Sequence, residues 1–488
     1  MCTIAAMAAA ARSTDRPGAL EITRKLAEIC GRPFARFAGP ADEVAGRTAR
    51  WVAVPGGPRA AAEVLRLAAA HDLTVVPRGA GTKIDWGAAP GRVDIMLDTG
   101  RLAGVWHEPR DAAVAEIGAG TPLRAVQATL GRTGRRLPVD APSPGATLGG
   151  VLAADEAGPL RHRHGSPCAQ LVGVRYLDAD GELVSVGESG TARLERAAPT
   201  GGFDGLFAAG SAGGGDAVLG RGDLPGLDVA RLLCGSQGGL GVLVSATMRV
   251  HAAPADRVWV SRPLWSPLEL PDLVRAVHAA GVDPAAVELD VPVPVPLPRR
   301  RIPASHPSVA GRPDHPAVTG RPAVGSLVVL LEGGPSDVAG RAERLTAVLG
   351  GGAVVNHQAP EWWGRYPFAP GDTALRIDVP ATDLHSAVYA LRDAAGASMP
   401  VRGSAGIGSA YAALPGGLSP ERVASILTAV RDVLIARQGR CVVVAAPAPV
   451  RRSVDLWGEL PALPRLRSAK AHLDPHRRLA PGRLPGGL

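Results

Sequence analysis

Residues 77 to 87 read Pro-Arg-Gly-Ala-Gly-Thr-Lys-Ile-Asp-Trp-Gly, directly after the apolar run Leu73-Thr74-Val75-Val76. The pattern predicts a strand that ends in a glycine loop. Gly79 and Gly81 lack a Cβ, so the backbone can take positive φ and lie close to a ligand. Successive N–H groups in such a turn form a concavity suited to an anion such as a pyrophosphate. The loop is neither the GxGxxG of a dinucleotide-binding βαβ unit nor the GxxxxGK[ST] of a P-loop. A phosphate-binding role would therefore belong to a different fold. An ordinary turn is the alternative, because glycine is abundant, 62 of 488 residues.

A chain of this length holds two or three domains with substantial cores. Hydrophobic residues make up 46% and aromatics only 3%, so the core must rest on Ala, Val and Leu. The formal charge is +8. Basic balance can signal nucleic acid, but here the arginines are scattered and no aromatic-rich basic stripe accompanies them, so no nucleic-acid partner is expected. Only Lys25, Lys83 and Lys470 are lysine, which sets off Lys83 inside the loop. Cys2, Cys30, Cys168, Cys234 and Cys441 are far apart. Their spacing predicts neither structural zinc nor an iron–sulfur cluster on this chain. An odd, sparse set fits a reducing cytoplasm better than a disulfide framework. Met1 to Ala11 lacks the basic and apolar regions of a signal peptide. No run reaches membrane-spanning length.

The apolar spacing organises the rest. A strand is expected at Trp51 to Val54, a helix at Pro58 to His71, and strands at Leu73 to Val76 and Val93 to Leu97. Then follow a strand at Ala113 to Ile117 and a helix from Thr121 to Gly131, with Thr121 as its cap and Pro122 at its first position. Leu171 to Leu177 and Leu183 to Val186 flank Asp178-Ala179-Asp180-Gly181 as a hairpin. Val242 to Val250 is a further strand. Gly187 to Gly222 and Pro292 to Pro322 read as flexible insertions. Helices at Leu270 to Ala280, Ser336 to Leu349 and Leu384 to Ala395 alternate with strands at Ser326 to Leu331 and Ala374 to Val379. We divide the chain into an N-terminal extension (1–45), a first α+β domain (46–251), an α+β cap (252–450) and a returning C-terminal segment (451–488).

Three more segments matter beside the first loop. Gly145-Ala146-Thr147-Leu148-Gly149-Gly150 could face a flat ring. Gly235-Ser236-Gln237-Gly238-Gly239-Leu240-Gly241-Val242 is a second glycine loop running into a strand. Leu473-Asp474-Pro475 and Leu479 to Arg483 close the chain, and as a pattern they are only Pro/Gly turns. Each could be an ordinary connection. In this order, however, the four resemble the FAD-binding fold of the vanillyl-alcohol-oxidase (PCMH) superfamily. Gly81 to Gly87, Trp362-Trp363-Gly364-Arg365, Trp457-Gly458 and Pro481-Gly482-Arg483 are similar to the FAD-binding subunit of bacterial glycolate oxidase. The resemblance implies an α+β chain, with a two-subdomain FAD-binding domain and an α+β cap. It implies that Pro77, Arg78, Gly79, Ala80, Gly81, Thr82 and Lys83 wrap the FAD pyrophosphate. Gly145 to Gly150 would line the flavin and the diphosphate, and Gly235 to Val242, with Gly235, Gly241 and Val242 foremost, would sit near the adenine side. The loop ends in Thr82-Lys83 where covalent relatives carry a His, so noncovalent FAD is expected. A second FAD subunit, an iron–sulfur subunit and a small 2-hydroxy acid are the implied partners, with a cytoplasmic place that could be peripheral to a membrane.

Some positions depart from that pattern. Gly222 to Asp228 replaces a Lys-Asn-Val-Ala-Gly-Tyr-Asp segment, Cys168-Ala169 stands for an Arg-Asp pair, and Gln237 and Gly239 stand for Glu and Thr. Hydroxy-acid oxidation needs a hydride acceptor, a base and a cation for the carboxylate. The cap histidines His278, His306, His315, His357 and His385 are isolated and read as surface or hydrogen-bond-satisfied residues rather than ligands. Arg161-His162-Arg163-His164 is the one dense basic cluster. It is either a solvated loop or, through Arg163 and His164, the catalytic charge beside reduced flavin. Arg365 and Arg376 are weaker carboxylate candidates, and His251 reads as structural. Two alternatives stay open: a non-catalytic scaffold with a divergent flavin fold, and a stand-alone oxidase of another alcohol.

Overall fold

The computed structural model describes residues 18–107, 113–187, 192–194, 228–293 and 322–488. Leu227, His306, His315 and the Pro292 to Pro322 insertion, beyond its ends, lie outside them. The chain forms two compact units, residues 1–253 with 444–488, and 254–443. The architecture is α+β in both.

The first unit holds two sheets. One has four strands in the order Ala35–Phe37, Trp51–Ala53, Ile95–Asp98, Val75–Arg78. Its last three strands are parallel, with Trp51 and Val75 both opposite Ile95. Parallel strands need crossovers, and helix Pro58–Ala70 supplies one, burying Ala61, Val64, Leu65 and Ala68 at helical spacing. Helix Ala19–Cys30 covers the same sheet through Ile22, Leu26 and Cys30. Residues 18–45, set apart in sequence as an extension, are thus built into this core. Trp51 is 1% exposed, and its Nε1–H donates to Thr23 Oγ1 of that helix at 3.0 Å.

The second sheet is antiparallel, in the order Ala192–Leu194, Leu183–Val186, Leu171–Leu177, Val242–Arg249, Val114–Gly118, Val105–His107. Asp178 Oδ1 accepts from the Asp180 and Glu182 N–H groups and closes the hairpin foreseen there. Of the segment Gly187 to Gly222 only residues 187 and 192–194 are described, and Ala192–Leu194 pairs with Leu183–Val186. Thr121 does not cap the next helix. Its Oγ1 donates to Gly118 O and accepts from Gly104 N–H, so the helix starts one residue later, after Pro122. The tertiary hydrogen bonds available to Thr121 outweigh its capping preference.

The second unit is an eight-stranded sheet with helices Leu270–Ala279, Pro335–Leu349, Leu384–Ala395 and Pro420–Ile435. Gly325–Gly333 lies between Asp256–Leu264 and Ala286–Val291 and is antiparallel to both. No helix among the described residues is long and apolar enough to cross a membrane.

Candidate functional site

Strand Val75–Arg78 delivers the glycine loop at the carboxyl end of the parallel strands. The chain then turns away, with Gly81 at φ +74°. The N–H groups of Gly79, Ala80, Gly81 and Thr82 donate to no acceptor among the described residues. Four neighbouring free donors at the lip of a cleft are the arrangement an anion fills. Gly79 has a further reason to be glycine. A Cβ there would run into Thr147 Oγ1, so the loop and the second glycine segment share one close contact.

Side chains fix the loop from both ends. The Arg78 guanidinium is held by Asp98 at 2.8 Å and Asp42 at 3.1 Å, so its charge is already matched. Asp42 is held down to about 2, first by Arg36 and also by Arg78 and the Gly39 N–H. Lys83 is buried against Glu156 as an ion pair, and Ser143 donates its N–H and hydroxyl to the other Glu156 oxygen. Burial pulls the Lys83 ammonium below its ordinary range, and Glu156 opposes that. Arg483 donates to Ile84 O and Trp86 O, both at 2.8 Å. Arg451 donates to Asp85 O at 3.0 Å. Burial lowers Arg483 to about 10, which leaves it charged at neutral pH.

The opposite walls come from the other glycine segments. Thr147 caps helix Leu148–Ala154 by accepting from Gly150 N–H. Gly149 packs on Ala119, where a Cβ would come within 2.7 Å of the Ala119 Cβ. The loop after Cys234 is stitched to the end of this helix by Gly235 N–H to Leu152 O at 2.9 Å and Gln237 N–H to Ala153 O at 2.8 Å. Lys470 reaches in from the C-terminal segment. Its ammonium donates to Gly239 O, Leu479 O and Asp474 Oδ2, each at 2.7 Å.

These walls border an open cleft, with about 900 Å³ of empty space counting the solvent at its mouth. Pro77, Arg78, Gly79, Ala80, Gly81, Thr82, Lys83, Thr147, Gly149, Gly150, Ser236, Gln237 and Gly241 line it, as do residues not foreseen: Ala119, Ala153, Leu243 and Arg483. Gly145, Ala146, Leu148, Gly235 and Val242 are in the walls but do not line the cavity. Arg163 and His164 do not line it either. They form helix Arg161–His164, where the His164 ring lies 5.1 Å from that of His251 and its Nε2 lies 3.4 Å from Arg136. Burial lowers the His251 imidazolium, and Arg136 adds to that. In the second unit, Arg376 is paired with Asp378 at 3.1 Å and Arg365 is exposed. Among the described residues, no three His, Cys, Asp or Glu side chains come together as a metal site.

The cleft meets what an extended dinucleotide needs. Free backbone donors offer a place for phosphates, and small residues at Ala119, Gly149, Gly150 and Ala153 offer a flat wall. A family model described as "FAD binding domain" matches residues 49–187. Residues 49–187 thus carry an FAD-binding domain. The cofactor of this fold is FAD. The chain is similar to D-2-hydroxyglutarate dehydrogenase of Xanthomonas citri pv. viticola, 28% identical over 44% of this chain and 41% of the relative. It is also similar to D-lactate dehydrogenase of Archaeoglobus fulgidus, 25% over 43% and 41%. Glycolate oxidase subunit GlcE of Escherichia coli (strain K12) is 30% identical over 30% of this chain and 33% of the relative. The match thus spans about two fifths of the first two relatives. Among solved structures, p-cresol methylhydroxylase with substrate bound superposes with a TM-score of 0.66, at 13% identity, over 96% of this chain and 97% of that one. The 4-ethylphenol oxidase of Gulosibacter chungangensis gives 0.64 at 14%, over 96% and 98%.

Proposed function

We propose that the chain is the FAD-binding subunit of a 2-hydroxy-acid dehydrogenase of the glycolate-oxidase kind, passing electrons to an iron–sulfur partner. The observation that carries this reading is the cleft with four free N–H donors at its lip, in a chain whose relatives include GlcE and two D-2-hydroxy-acid dehydrogenases. Bound FAD supplies a two-electron acceptor. The N–H groups of Gly79 to Thr82 would hold its phosphates. Lys83–Glu156 and Arg483 keep that loop rigid, so little ordering is left to be done on binding. The wall of Ala119, Gly149 and Gly150 would exclude water from one face of the ring.

The FAD is held without a covalent bond, because no His, Cys or Tyr is among the residues lining the cleft. Acid precipitation of the purified protein should leave the yellow colour in the supernatant. Anaerobic addition of glycolate, D-lactate or D-2-hydroxyglutarate should bleach the oxidised flavin with at least one of them. One observation favours a second reading, a scaffold that binds flavin without turnover: Arg163 and His164 stand outside the cleft. A holoprotein that no 2-hydroxy acid reduces, alone or with its partners, would establish that reading instead.

A further inference from the structure

We propose that Arg483 is the counter-ion of a diphosphate bound in the cleft. Three cations line the cleft, Arg78, Lys83 and Arg483, and no acidic side chain does so among the described residues. Two of the three are already matched within the protein: Arg78 by Asp98 and Asp42, and Lys83 by Glu156. Arg483 is not. It is 3% exposed and forms no ion pair with a described carboxylate. Its acceptors are the Ile84 and Trp86 carbonyls, both at 2.8 Å, and Gln237 Oε1 at 3.5 Å. A guanidinium has five N–H donors, and the buried Nε of Arg483 meets no acceptor.

A buried charge is costly unless an opposite charge meets it. Burial and then the like charge of Arg451 act against the Arg483 guanidinium, and Asp85 offsets them only in part. Arg451 brings no relief, since its own bonds go to Asp85 O at 3.0 Å and Ala446 O at 2.8 Å. The protein therefore holds a positive charge at the cleft that a ligand must neutralise. Three points make the neutralising group a diphosphate. Ile84 and Trp86, the anchors of Arg483, follow closely on Gly79 to Thr82, whose free N–H groups call for a group rich in oxygen acceptors. The guanidinium fork matches phosphate oxygens in pairs. A diphosphate is also charged at all times, whereas a flavin ring gains charge only on reduction.

The inference rests on the FAD reading above for the identity of the ligand. The test strips the full chain of flavin and titrates it with inorganic pyrophosphate and, separately, with FAD. Pyrophosphate should bind the unaltered chain and raise its Tm. Arg483→Met should weaken pyrophosphate and FAD alike, by about tenfold to a hundredfold, the range of a lost hydrogen bond to a charged group. Arg483→Lys keeps the charge and should recover most of that loss, although one ammonium replaces the fork that spans both carbonyls. Arg451→Met removes a tether from the same loop but no charge lining the cleft, and should weaken either ligand far less. If the unaltered chain ignores pyrophosphate, or Arg483→Met binds both ligands as well as the unaltered chain does, the proposal is wrong. Equal losses in Arg483→Met and Arg451→Met, or no recovery in Arg483→Lys, would make Arg483 a loop tether and overturn it too. A flavin midpoint potential that falls in Arg483→Met while both affinities hold would assign the charge to the reduced ring instead. Pyrophosphate binding that depends on Arg483, in a chain that takes up no FAD, would sink the functional reading and leave the diphosphate site standing.

Discussion

Gly79 and Gly81 sit two positions apart and are glycine for different reasons. At Gly81 the backbone is left-handed at φ +74°, and a Cβ would meet only the Arg78 side chain at 3.5 Å. At Gly79 a Cβ would strike Thr147 Oγ1. Gly81→Asp places a carboxylate beside the phosphate donors, a repulsion of about 4 kcal/mol at short range. FAD affinity should fall by at least about a hundredfold, with the apoprotein still largely folded. Flavin content after gel filtration checks this; stoichiometric FAD in Gly81→Asp would rule out the phosphate role of the loop. Gly79→Ala should instead cost stability, about 1–3 kcal/mol for the overpacked contact, read from urea unfolding. Asp42 adds a pH dependence. Its folded value is held at about 2, below the usual unfolded value of about 3.9. A depressed carboxylate stabilises the fold above its unfolded value and loses that contribution as pH falls toward its folded one. The urea midpoint should therefore drop as pH falls from about 4 toward 2, and Asp42→Asn should flatten that drop while lowering stability at neutral pH. An unchanged slope in Asp42→Asn would remove Asp42 from the account.

The helices and strands with strong period were legible, and the joints between them were not. Pro58–Ala70 and Leu384–Ala395 follow from apolar spacing, because their buried residues are also their apolar ones. Helix Ala19–Cys30 has the same spacing in Ile22, Leu26 and Cys30, but nothing local to it shows that it covers the sheet carrying the first glycine loop. The contacts of the closing segment were not legible. Its Pro/Gly pattern suggests turns alone, yet Val75 N–H donates to Arg478 O and Ala480 N–H to Val75 O, both at 2.8 Å, adding it beside the strand that carries the loop. Lys470 and Asp474 complete the joint as a buried pair, 1% and 0% exposed. Their partner Gly239 lies 231 positions away, so no local pattern could show it. The one available signal was lysine itself: in an arginine-rich chain, Lys83 and Lys470 are both buried ion pairs. A compact ammonium can meet three carbonyl or carboxylate oxygens where a planar guanidinium could not. Lys470→Met should cost about 3–5 kcal/mol, because Asp474 is left charged and buried. Lys470→Met/Asp474→Leu should recover part of that. Urea unfolding measures both, and a harmless single variant would show that the joint is dispensable.

At the scale of the whole molecule, electron flow is decided by what the chain brings and what it lacks. The order of four glycine segments was enough to indicate the FAD fold, because each wall of the cleft is one of them or is anchored by one. The catalytic side was not legible, since Arg163 and His164 are a cluster in sequence that the fold packs against His251 and Arg136. The cysteines are too widely spaced in sequence for the CxxC-type runs that hold iron–sulfur clusters. A flavin reduced by two electrons must then pass them to something outside this chain, and in the reading proposed here that is a cluster-bearing partner. The isolated holoprotein should reduce an artificial dye with glycolate slowly or not at all. Adding the purified partner subunits should raise the rate strongly, with no change in flavin content. Rapid dye reduction by this chain alone would mean that its own residues complete the substrate site and that the partner is not needed for turnover.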